Sequence, residues 1–172
     1  VLTALISAAN ASTVIDVKAA ADLAQSAIGK LMEAERSEQR GPVLTADLFE
    51  SIVSASKQID AGLAASISEV KNWLVNPDVA SALTEATLQA VQNSVLHAGA
   101  KANRELFLKA TDREIKIVIR DNGRGFRPNR IPKGRLGLRV SVIGRVEAIA
   151  GQVHISSSPG QGCTIVLEWV KP

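Results

Sequence analysis

The stretch IKIVIRDNGRGF, residues 115–126, constrains this chain more than any other. Apolar and polar residues alternate with a period of two, the mark of a strand with one buried face. The strand ends on Asp121 and passes through Gly123 and Gly125 into a basic segment. Glycine permits a positive φ and a close approach of the backbone to a neighbour. A carboxylate at a strand end accepts hydrogen bonds only, and can pair with an exocyclic amine such as that of adenine. The turn therefore either carries charge incidentally or is shaped around a ligand.

Charge placement bears on that choice. The net charge of +3 is concentrated between Asn122 and Val146, which hold seven basic residues (Arg124, Arg127, Arg130, Lys133, Arg135, Arg139, Arg145) and no acid. Elsewhere thirteen basic residues face seventeen acidic ones. A local cluster suits a small polyanion, whereas a nucleic-acid footprint spreads over a face. The aromatic residues are Phe49, Phe107, Phe126, Trp73 and Trp169, too few for a base-stacking surface, and no direct nucleic-acid partner is expected. The lone cysteine, Cys163, excludes an internal disulfide framework. Hydrophobic residues make up 46% of the chain, enough for a core built from Ala, Val, Ile and Leu.

Residues 1–36 are Ala-rich and helical in pattern, with an apolar stripe through Val17, Ala20, Ala21, Ala24, Ala27, Ile28 and Leu31, and Ser12 and Thr13 as caps at a break. This is a helix pair too short to fold alone, so pairing with a second chain is expected. ERSEQRGP (35–42) is a linker, and residues 37–172 form the second domain. There Thr45 caps a helix over 45–59, residues 62–70 alternate as a strand, and Asn76-Pro77-Asp78 opens the most regular helix, 77–98. Strands are expected at 103–110, 114–121, 152–158 and 163–169, with a helix over 138–151. Elements mixed without strict alternation indicate an α+β, two-layer sandwich with helices on one face of a mixed sheet.

On the 77–98 helix, Glu85, Gln89, Asn93 and His97 recur every four residues and share a stripe. A polar line can be the solvent side of a helix, but Asn and His together can also hold a metal ion and phosphate oxygens. Gly134 and Gly137 precede the next helix, where backbone amides and nearby Arg and Lys make an anion site. There is no G-x-x-x-x-G-K-[ST], so no P-loop.

The order N-x-x-x-H-A on a helix, D-N-G-R-G-F after a strand, a basic loop closed by G-R-L-G-L, and a P-G-x-G corner resembles the N, G1 and G2 boxes of Bergerat-fold ATPases, the superfamily of gyrase B, Hsp90, MutL and histidine kinases. LTEATLQAVQNSVLHAGA and the segment from Gly134 to Trp169 look most similar to sensor histidine kinases of the nitrate-sensor class, in an actinobacterial style. The resemblance implies a Bergerat-fold ATP-binding domain preceded by the remnant of a dimerising helical hairpin. It implies that Asn93 ligates Mg²⁺ bridging the ATP phosphates, with His97 nearby, and that Asp121 binds the adenine amine. Gly123 and Gly125 would line the purine with Phe126 beside them, Arg135, Gly137 and Leu138 would serve the mobile lid and phosphates, and Thr164 would lie near the base.

The resemblance further implies transfer of the γ-phosphoryl group to a histidine on the hairpin and relay to a response regulator. The parent would be a homodimer in the bacterial cell membrane with this domain in the cytoplasm. Neither His97 nor His154 is followed by an acid, so the acceptor is expected upstream of Val1 and the chain should not phosphorylate itself. Gln89 stands at a catalytic position where the family normally has Glu, Leu96 where Lys or Arg is common, Ser141 at a usual glycine, and Cys163 at a usual Thr. These departures bear on catalysis more than on fold. An anti-sigma-factor-type serine kinase and a degenerate ATP-binding scaffold are the alternatives.

Overall fold

A computed structural model of the chain describes residues 41–127 and 142–172, all but Gly41 within the compact unit Pro42–Pro172. The expected hairpin at 1–36, and the loop positions Arg135, Gly137, Leu138 and Ser141, lie outside the described residues.

The unit opens with β1 (Val43–Leu44), which pairs antiparallel with β3 (Leu74–Val75). Between them come α1 (Thr45–Ile59) and β2 (Ala64–Val70). The expected cap of α1 is corrected: Leu44 is the N-cap residue and no side chain caps there. Buried Thr45 instead donates its hydroxyl to the Lys71 carbonyl (2.8 Å) and accepts from the Trp73 amide, fastening the helix start to the segment between β2 and β3.

Helix α2 (Pro77–His97) begins as its sequence dictates. The Asn76 side chain accepts from the Asp78 amide, Pro77 needs no donor in the first turn, and Asp78 complements the helix dipole. Its buried residues, Val79, Ala80, Leu83, Ala86, Thr87, Ala90, Val91 and Ser94, recur at helical spacing. Small residues at four of these positions let the helix lie close to the sheet.

The sheet runs β2–β4–β5–β7–β6, with β4 (Arg104–Ala110), β5 (Glu114–Asp121), β6 (Gln152–Ser157) and β7 (Cys163–Val170). Strand β2 is parallel to β4 and every other pairing is antiparallel. Alternation turns Leu106, Leu108, Ile115, Ile117, Ile119, Ile165, Leu167 and Trp169 into the core beneath α1, α2 and α3 (Gly144–Ala148). The protein is thus the expected α+β sandwich, with helices covering one face of a mixed sheet. At the end of the sheet remote from Asp121, Trp73 stacks on Trp169 with centroids 5.9 Å apart, and the Trp169 indole donates to the Ile149 carbonyl.

Candidate functional site

The site is assembled where β5 ends under the last turns of α2. Asp121 is 7% exposed, although it is a carboxylate at a strand terminus. Its Oδ1 accepts from the Gly123 amide (2.9 Å) and its Oδ2 from the Ser94 hydroxyl (2.9 Å). Ser94 in turn accepts from Arg104 Nε (3.0 Å). Arg104 faces Asp121 in register across β4–β5, and its guanidinium also reaches Asp60 (3.1 Å) and the carbonyls of Ser94, Gly99 and Ala102.

Asn93, one residue before Ser94, has a buried Nδ2 with no hydrogen-bond partner. An unpaired buried amide costs about 1–3 kcal/mol, and among the described side chains Ser56 Oγ is the other buried polar atom left so. Gln89 is half-buried one turn earlier, and His97 is exposed one turn later. Glu85, which begins the same stripe, pairs with Arg145 on α3 (2.8 Å) and accepts from Ser81. One member of the basic cluster therefore ties α3 to α2. Among the described residues no three His, Cys, Asp or Glu side chains converge as a metal site.

The glycines of the turn have reasons within the chain itself. A Cβ on Gly123 would lie 2.3 Å from the Ala98 carbonyl oxygen. One on Gly125, whose φ is 57°, would lie 2.0 Å from the Ser158 oxygen. The turn is pressed between the end of α2 and the β6–β7 corner, where Arg124 N donates to Ala98 O and Gly160 N to Arg124 O. Half-buried Phe126 is held there by its amide, which donates to the Ser157 hydroxyl (2.9 Å). Backbone packing thus accounts for both glycines without a purine.

Thr164 requires a correction. It stands in register with exposed Arg120, on the sheet face opposite the helices, and strand alternation keeps it away from Asp121. Cys163 is the residue opposite Asp121. Burial, and then the Asp121 charge, push its thiol up to about 11, against a smaller opposing effect of the Ser157 hydrogen bond.

Ser94 and Arg104 are not among the candidate residues that the sequence motifs single out. Both carry a signal: Ser94 continues the buried stripe of α2, and Arg104 has the inward parity of Leu106 and Leu108. A polar side chain at an inward position demands a partner.

Residues 78–172 match the family model of histidine kinase-, DNA gyrase B- and HSP90-like ATPases. A signal transduction histidine-protein kinase/phosphatase DegS of Brevibacillus brevis is 34% identical over 88 residues, which are 50% of this chain and 22% of that protein. The chain thus spans under a quarter of that relative's length. Among solved structures, the ATP-binding domain of PrrB from Mycobacterium tuberculosis is 26% identical with a TM-score of 0.54, over 77% of this chain and 97% of that one. A mycobacterial sensor histidine kinase, MprB, shares the fold at 18% identity and a TM-score of 0.56, over 77% of this chain and 99% of that one. The chain belongs to the family of histidine kinase-, DNA gyrase B- and HSP90-like ATPases. It carries that family's ATP-binding domain.

Proposed function

We propose that this domain holds Mg-ATP for a two-component sensor histidine kinase of the nitrate-sensor-like class, for transfer of the γ-phosphoryl group to a histidine other than His97 and His154. The observation that carries the reading is Asp121, buried at a strand end with each oxygen accepting one hydrogen bond and acceptor capacity left over on both. That remaining capacity matches the amino group of adenine.

Asn93 is the residue suited to a divalent cation. A side-chain amide with its oxygen and nitrogen interchanged presents an oxygen at the same unpartnered place. Magnesium characteristically takes one or two protein ligands and completes its shell with water and phosphate oxygens, which fits a site without a carboxylate cage. When bound, the ion would neutralise phosphate charge. The chain's own part is to orient base and phosphates so that the γ-phosphoryl faces its acceptor. His97, exposed a turn beyond Asn93, is the residue we assign to the phosphates.

We further assign residues 1–36 to a dimerising hairpin of a homodimeric parent, with a response regulator as the next phosphoryl carrier. The parent is proposed to be membrane-anchored with this domain on the cytoplasmic side. No helix among the described residues is long and apolar enough to cross a membrane. Calorimetry with Mg²⁺ and a non-hydrolysable ATP analogue tests the nucleotide reading. Binding by the chain and a loss of at least about tenfold in Asp121→Asn are expected, since a charged hydrogen bond is removed. Absence of binding by the unsubstituted chain would favour a degenerate scaffold.

A further inference from the structure

We propose that Ser94 and Arg104 are positioning residues that aim the Asp121 carboxylate and thereby set the selectivity for a 6-amino purine; this rests on the reading of Asp121 as the adenine acceptor. The argument begins with proton accounting. A guanidinium has donors and no acceptor, so in the Arg104 Nε to Ser94 Oγ contact the serine oxygen must accept. A hydroxyl has one proton, and the remaining partner of Ser94 Oγ is Asp121 Oδ2, 2.9 Å away. The chain therefore runs one way: Arg104 to Ser94 to Asp121. With the Gly123 amide on Oδ1, a donor is fixed at each oxygen, and rotation of the carboxylate would break both bonds.

The position of Arg104 is itself over-determined. Its side chain is 9% exposed and donates to Asp60 and to three backbone carbonyls as well as to Ser94. Two of those carbonyls, Ser94 and Gly99, belong to the end of α2 and the turn after it, so one guanidinium fastens the helix end to the start of β4. Asp60, the C-cap residue of α1, takes the ion pair. Arg104 and Asp121 are register partners across the ladder, yet a single serine hydroxyl stands between their charges. A direct bidentate pair would occupy the acceptor positions that a base needs. The arrangement gives Asp121 a fixed orientation and leaves those positions free.

The consequence concerns the base rather than the phosphates. Adenine presents an amino donor where hypoxanthine presents a carbonyl oxygen, and a fixed acceptor discriminates between them because the wrong base leaves it unpaired. A carboxylate free to rotate discriminates less.

The experiment measures the ratio of ADP to IDP affinity, each with Mg²⁺, for the whole 172-residue chain and its variants. The unsubstituted chain should prefer ADP by about tenfold or more. Ser94→Ala should lower that ratio several-fold, and Ser94→Thr, which keeps the hydroxyl, should restore it. Arg104→Gln should lower the ratio too, but should change it no further in the Ser94→Ala background, because it acts through the serine. A merely structural role would weaken both nucleotides equally and leave the ratio unmoved. A normal ratio in Ser94→Ala overturns the proposal while leaving the adenine reading intact. Equal affinity of the unsubstituted chain for the two nucleotides overturns both. Should Arg104→Gln not fold, the comparison of Ser94→Ala with Ser94→Thr decides alone.

Discussion

Across the β5–β7 ladder the Cys163 thiol faces the Asp121 carboxylate, and its titration reports on that charge. Burial and Asp121 together move the thiol from an ordinary 9.0 to about 11, which leaves about a hundredfold less thiolate at neutral pH. A more basic thiolate is also a better nucleophile, with a Brønsted slope of about 0.4–0.5, so roughly tenfold of that deficit is recovered. Alkylation by iodoacetamide at pH 8 should therefore run about tenfold slower than for an unperturbed thiol, with a pH–rate inflection near 11. Asp121→Asn should bring the inflection down. An inflection near 9 in the unsubstituted chain would show that neither burial nor the carboxylate acts on the thiol. Part of this geometry was legible in the sequence. Cys163 shares the parity of Ile165, Leu167 and Trp169, so its inward direction follows from alternation, as does the outward direction of Thr164. The serine relay was not legible, because it joins residues 94, 104 and 121 through a fold that only long-range pairing creates.

At the scale of elements, α3 places two small residues against their conformational preferences. Gly144 is the first residue of the helix, behind an Ile143 whose φ of -64° and ψ of -50° are already helical, and a Cβ on it would meet nothing within 4 Å. Ala150 adopts a left-handed φ of 58° just after it. The Gly151 amide donates to the Val146 carbonyl and the Ala150 amide to the Glu147 carbonyl, which is a Schellman ending with alanine where glycine is preferred. Gly151 is needed for another reason, since its Cβ would lie 2.7 Å from Val146 Cγ1. Gly144→Ala should stabilise the domain by about 0.5–1 kcal/mol through helix propensity. Ala150→Gly should add a similar amount, about 0.5–1 kcal/mol, by relieving the left-handed strain. Thermal unfolding of the single and double variants checks both; a lower Tm in either single variant would show that the backbone there is not what limits stability. The end of this helix near Gly151 could be read from the sequence, whereas the residue carrying the positive φ could not. The long helix α2 and the strands β4 to β7 were legible for a related reason, their uninterrupted periodicity. The two-residue ladder of β1 and β3 is too short to show a period, and the parallel pairing of β2 with β4 has no local signature.

For the unit as a whole, the described helices lie on one face of the sheet, and on the other face cross-strand pairs link neighbouring strands. Lys116 on β5 bonds Glu168 on β7, and this hydrogen bond, opposed by a smaller desolvation, raises the lysine above its usual 10.5. The inward face holds the Cys163 thiol, also raised, to about 11. A group with a raised folded-state value binds its proton more tightly when folded, so its contribution is complete below the unfolded value and lost as pH climbs through the folded one. For Cys163 that window opens near 9.0 and closes near 11, and for Lys116 it lies above 10.5. Both groups act in the same direction, so the sandwich should weaken progressively on the alkaline side, first from its buried face and then from the other. Urea midpoints at pH 8, 10 and 11.5 should fall in that order. Cys163→Ala should flatten the first step and Glu168→Gln the second. A midpoint that holds constant or rises between pH 8 and 10 would contradict the thiol's part. A second step that persists unchanged in Glu168→Gln would contradict the lysine's.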